Sequence, residues 1–145
     1  MSEVNKAVMR RLLEEGLNKH NLSVINEIYQ DCVYRSPVTG EIRGEAVKQF
    51  FQSVLGAFPD ARYTVEDQLA DGEKVATRWS CSGTHKGELM GIAPTGKPVR
   101  ISGMITDRIV DGKIAEEWSE WDALGMMQQM GVVATFPKVT RKVAA

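Results

Sequence analysis

Between Ile114 and Asp122 the chain reads Ile-Ala-Glu-Glu-Trp-Ser-Glu-Trp-Asp. On a regular β-strand alternate side chains share a face, so Ile114, Glu116, Trp118, Glu120 and Asp122 would lie together. Three carboxylates around one indole, turned toward a pocket, make an acid/base site. Their mutual repulsion and the apolar surroundings disfavour the ionised form and move a carboxyl pKa toward neutrality. Such a group can take a proton from carbon and return one to oxygen. Turned toward solvent, the same residues are a wet strand edge. Asp122 has a second reading, because Asp directly ahead of a helix is a common N-cap. Spacing alone leaves both open.

Other chemistries find little support. His20 and His85 are the only histidines, and no CxxC, HxH or HExxH spacing exists, so no metal site is expected. Cys81 and His85 lie four apart, about 13 Å along a strand, too far for a thiolate–imidazole pair. No GxSxG elbow is present. Gly91 to Lys97 matches the first part of a phosphate-binding loop, but Pro98 stands where Ser or Thr is needed and a strand-like pattern follows. It reads as a connecting loop, and no cofactor is expected.

Candidate helpers are few. His85, between Gly83 and Gly87, either anchors a loop or reaches a ligand. Arg35, just before Ser36-Pro37, is either a surface charge or a pocket cation paired with Asp122. Trp79, Trp118, Met90 and Met104 are candidate apolar walls, although methionines are by default adaptable core fillers.

The elements that would position these groups follow from periodicity. Val8/Met9, Leu12/Leu13 and Leu17 give helical spacing over Asn5 to His20, and a second helix is expected from Leu22 to Tyr29. A short strand at Cys32–Tyr34 precedes Pro37, and a third helix fills Gly44 to Phe58, ended by Pro59. Long strands are expected over Ala61–Ala70, Lys74–His85, Val99–Val110 and Lys113–Trp121. Asp71-Gly72 and Asp111-Gly112 are two-residue hairpin signals, whose central residues both take positive φ. A last helix spans Asp122 to Met130. Helices first and antiparallel strands afterwards give an α+β layer arrangement, a curved sheet with helices on its concave face. One domain is expected over residues 1–131, with a weakly patterned tail at 132–145.

Length and charge bound the partners. The chain has 145 residues, 18 Lys plus Arg and 19 Asp plus Glu, and a net charge of -1. One domain of this size buries roughly 68–70% of its unfolded surface and can enclose a ligand cavity. Without a basic excess, nucleic acid is not an expected partner. No apolar run approaches the roughly 20 residues needed to span a bilayer, and no signal-peptide pattern is seen. A cytoplasmic location with reduced Cys32 and Cys81 is the expectation.

Two blocks, GTHKGELMGIAPTGKPV (Gly83 to Val99) and DGKIAEEWSEWDALGMMQQMG (Asp111 to Gly131), resemble the SnoaL-like polyketide cyclases of the nuclear transport factor 2-like superfamily. The order of the N-terminal elements agrees, and the resemblance spans Val8 to Gly131. It implies an α+β cone with a deep apolar pocket for a small hydrophobic molecule, and a homodimer. It also implies ring closure by intramolecular aldol condensation without metal or cofactor. The family's acid/base Asp sits four residues after a Trp in an E-x-W-x-x-x-D pattern, matched by Glu116, Trp118 and Asp122. Two departures stand out. Arg35 occupies a position where the family often has His, and Ile101 to Ile109 contains no His. Epoxide hydrolysis of the limonene epoxide hydrolase kind, with Arg35 bridging Asp122 and Glu120, is an alternative. Non-catalytic binding of a hydrophobic ligand is another. Whether Asp122 faces a cavity or caps the next helix separates these readings.

Overall fold

A computed structural model describes residues 2–134, so most of the expected tail lies outside the described residues. Helix α1 (Ser2–Arg11) opens the chain and widens into a π-helical turn over Leu12–Leu17. There Asn18 N–H reaches back to Leu13 O at 2.9 Å and Asn21 N–H to Gly16 O at 2.8 Å, each spanning five residues. Helix α2 (Leu22–Ile28) follows, started by the Asn21 side chain, which accepts from Val24 N–H. The expected helix and its successor therefore form, with a wider final turn in the first.

Strands β1 (Val33–Ser36) and β2 (Gly40–Arg43) make a small hairpin, of which the second strand was not expected from the sequence. Helix α3 (Glu45–Ala57) leads to four long strands: β3 (Arg62–Asp71), β4 (Lys74–Thr84), β5 (Pro98–Val110) and β6 (Lys113–Trp121). Helix α4 (Ala123–Gln129) closes the described chain. The sheet order is β2-β1-β6-β5-β4-β3, with both ends open. One pairing corrects the all-antiparallel expectation: β1 runs parallel to β6, with Arg35 beside Trp118. The hairpin signals also resolve differently. Asp111 and Gly112 both take positive φ, whereas the β3–β4 ladder still pairs Asp71 with Lys74, so the tight loop there is Gly72-Glu73.

Two bulges shape the sheet. β3 carries an extra residue at Glu66, and β6 carries one at Ala115, where Arg108 pairs with Glu116 but Ile109 pairs with Ile114. A bulge bends its strand and shifts which face each later residue occupies. The helices pack on the concave side, α1 against β3 and β4, α2 against β6, and α4 against β5. Met9, Leu12, Ile25, Ile28, Ile109 and Ile114 are fully buried there. Each such side chain contributes roughly 1.5–3 kcal/mol of transfer free energy.

Candidate functional site

The concave side is not completely filled. A cavity of about 100 Å³ lies between sheet and helices. One water needs roughly 10–15 Å³ of such space, so several atoms of a ligand fit. The π-helical turn supplies Leu12, Leu13 and Leu17 to its wall, and α3 supplies Phe50, Phe51 and Val54. Trp79 and Cys81 come from β4, Ile101 and Ile105 from β5, and Ser119 and Trp121 from β6. Leu89 and Met90, from the β4–β5 loop, and Met126 of α4 close the wall. Met90 is also half exposed, so the cavity meets solvent beside it. Burial pushes the Cys81 thiol up to about 11, which leaves it a wall group and not a thiolate nucleophile.

Among the described residues one carboxyl group lines this apolar wall: Glu117, 2% exposed. The Tyr29 hydroxyl, at the end of α2, donates to Glu117 Oε2 at 2.8 Å. Across the β5–β6 ladder Glu117 pairs with Asp107, which is completely buried. Directly opposed residues in an antiparallel pair have Cβ atoms about 4.5–5.5 Å apart, so the two carboxyls are neighbours. Burial raises the Asp107 pKa well above the usual carboxylate range, and the adjacent Glu117 charge raises it further. Burial also raises Glu117, while the neighbouring Asp107 carboxyl and the hydrogen bond from the Tyr29 hydroxyl pull it partly back.

Seven of the nine residues expected at the site lie elsewhere. Asp122 is exposed, and its Oδ1 accepts Gly125 N–H at 2.9 Å as the N-cap of α4. Glu116, Trp118 and Glu120 point from the outer face of β6. Arg108 Nε donates to Glu116 Oε2 at 2.9 Å, which lowers the Glu116 pKa. Trp118 lies between Arg35 and Lys74, at 5.1 and 5.5 Å from its ring centre. Arg35 bridges two carboxylates, Glu41 at 3.2 Å and Glu116 at 3.5 Å, but on the outer face and without Asp122 or Glu120. Met104 is 54% exposed on that same face. Only Trp79 and Met90 reach the cavity.

The bulge at Ala115 explains the exchange. The regular-strand reading put Ile114 and Glu116 on one face, and Ile114 is indeed buried. The extra residue shifts the alternation, so Glu117, Ser119 and Trp121 turn inward after it. Glu117 was missed for that reason. A sequence signal did exist: Trp121 and Ser119 share the phase of Glu117.

His85 is fully buried and holds the β4–β5 loop. Its Nδ1 accepts Thr95 N–H at 3.2 Å, which places the ring proton on Nε2. Its backbone bonds Lys97 O and Gly96 N–H, and Phe58 lies 5.5 Å from the ring. The loop-anchor reading describes it. Among the described residues no group of three His, Cys, Asp or Glu side chains is gathered closely enough to hold a metal ion. No helix among them is long and apolar enough to cross a membrane.

With this geometry established, comparison with known proteins is decisive for the family. The model of the SnoaL-like polyketide cyclases matches residues 7–130. The chain belongs to that family. AclR, a candidate hydroxylase from Streptomyces galilaeus, is similar in structure with a TM-score of 0.85 and 29% identity, over 95% of this chain and 87% of that one. IdmH, a candidate polyketide cyclase from Streptomyces antibioticus, has a TM-score of 0.76 and 31% identity, over 88% and 98%. A candidate SnoaL-like polyketide cyclase from Jannaschia shares the fold at a TM-score of 0.79 and 20% identity, over 91% and 94%. No curated protein matches. In this member of the SnoaL-like family the residues that fit E-x-W-x-x-x-D occupy the outside of the sheet and the head of α4. The carboxyl that faces the cavity is Glu117.

Proposed function

We propose that this SnoaL-like protein is a cofactor-independent cyclase-type enzyme, with Glu117 as the acid/base toward a small hydrophobic dicarbonyl or polyketide-like compound. The observation that carries this reading is a single carboxyl group, buried and held by Tyr29, in a wall otherwise made of aliphatic, aromatic and small side chains. The Glu117 carboxylate takes the proton from the carbon between or beside two carbonyls. The resulting enolate carbon forms a bond to a second carbonyl carbon of the same molecule. That carbonyl oxygen, now an alkoxide, takes the proton back from Glu117. Atoms balance without water, metal or oxidant.

General acid–base catalysis contributes typically about 10²–10⁴-fold. Holding the chain folded with its reacting carbons in contact supplies the rest, and the tight aromatic wall of Phe51, Trp79 and Trp121 is suited to that. The test is turnover of hydrophobic diketones that can close a five- or six-membered ring, by wild type and Glu117→Gln. Gln keeps the size and the bond from Tyr29 but cannot accept a proton, so turnover should fall by at least about 10²-fold. Unchanged turnover in that variant would overturn the role of Glu117. Tight binding of the diketones with no turnover in either protein would favour a ligand-binding domain.

A further inference from the structure

Asp107 presents a puzzle of donors. Neither of its carboxyl oxygens receives a hydrogen bond from the described residues, although Asp107 is completely buried. A buried carboxylate without donors is among the costliest arrangements in a protein interior. Its neighbour across the ladder is another carboxyl, that of Glu117, which as a carboxylate can only accept. Glu117 already takes one donor, the Tyr29 hydroxyl, on Oε2. The titratable groups acting on Asp107 are therefore acidic or neutral: Glu117 from β6, Tyr29 from the end of α2, and Cys32 from the segment before β1. From β4 it is faced by Val75, its ladder partner, which carries no charge. One arrangement satisfies all of these groups. A proton on Asp107 turns it from an orphaned acceptor into the donor that Glu117 lacks.

We propose that Asp107 is kept as a neutral carboxylic acid whose O–H is donated to Glu117, making it a positioning residue that acts with Tyr29 to hold Glu117 as the ionised base. This deepens the reading of Glu117 given above and rests on it for the catalytic part. The proton on Asp107 does not enter the ring-closing step. It keeps Glu117 from storing the proton before substrate arrives. Burial raises the affinity of both carboxyls for protons, and the Tyr29 hydroxyl bonded to Glu117 stabilises the charge on that side, which leaves the proton to Asp107.

The experiment needs no substrate. Side-chain carboxyl carbons of Asp and Glu are labelled with ¹³C, Asp107 and Glu117 are assigned by Asp107→Asn and Glu117→Gln, and both are titrated by NMR. In wild type at neutral pH the Asp107 carbon should read as protonated and Glu117 as ionised. Glu117→Gln should lower the Asp107 midpoint, since the neighbouring charge is gone. Asp107→Asn should leave Glu117 ionised, because the Asn N–H₂ still donates, while Asp107→Leu should raise the Glu117 midpoint. An ionised Asp107 at neutral pH, or a midpoint insensitive to Glu117→Gln, would overturn the proposal. Either result leaves the diketone assay of Glu117 standing on its own, so the two ideas fail separately.

Discussion

Asp107 and Glu117 face each other across the β5–β6 ladder, both buried, on the inner face of a sheet whose outer face carries the Arg35–Glu41, Arg35–Glu116 and Arg108–Glu116 pairs. Their proton affinities make stability depend on pH. Asp titrates near 3.9 and Glu near 4.3 in an unfolded chain. In the folded chain both are raised. The fold then binds more protons than the unfolded state above those values, and stability falls as pH rises through the folded pKa values. Asp107→Asn removes one of the two titrations. Melting temperature should decline with rising pH less steeply in Asp107→Asn than in wild type, and the variant should be the more stable at alkaline pH. Parallel curves would show that Asp107 titrates normally.

Asp122 is an N-cap with an exposed carboxyl, and its substitutions should behave accordingly. Asn and Asp cap about equally well, so Asp122→Asn should preserve both stability and turnover. Asp122→Ala should cost roughly 0.5–2 kcal/mol in denaturant unfolding. Loss of turnover in Asp122→Asn with intact stability would return Asp122 to the chemistry.

Gly103 lies between two tryptophans, paired with Trp79 on one side and Trp121 on the other. A Cβ there would come within 2.6 Å of Trp79 Cζ2 and 2.9 Å of the Glu120 carbonyl oxygen. Neither the indole nor the backbone yields cheaply. Gly103→Ala should destabilise by about 1–3 kcal/mol and change Trp emission, read by chemical denaturation and fluorescence.

The outer sheet face is uncovered by any described helix and exposes Leu69, Met104 and Trp118 at 71%, 54% and 36%. We propose that a second copy of the chain packs there. Sedimentation should give twice the chain mass at micromolar concentration, and Trp118→Glu should shift it toward one chain. A wild-type mass of one chain would end this expectation.

Much of the fold is legible in the residues. Apolar spacing at Val8/Met9, Leu12/Leu13 and Leu17 and the four β-rich runs locate the first helix and the four long strands, because tertiary packing follows the same periodicities. The site was less legible, for a local reason. Alternation predicts a face only while a strand is regular, and Ala115 interrupts β6 by one residue just ahead of the acidic cluster. The cap at Asp122 was one of two readings on offer, and the choice required knowing where Gly125 N–H points. Asp107 carried no signal of its own, since its importance depends on which residue stands opposite.

The π-helical turn at Leu12–Leu17 places three leucines on the cavity wall while α1 before it is anchored elsewhere, by Asn5 on Gly72 O and by Gln68 on Lys6 O. A turn of this kind holds one residue more than an α-helical turn, so the flanking segments can keep their seats while the residues within it change. Lineages of this chain could therefore gain or lose a single residue there and reshape the cavity without refolding the sheet. Substrate range would then shift by length variation in one helical turn, without replacement of the packed strand residues opposite.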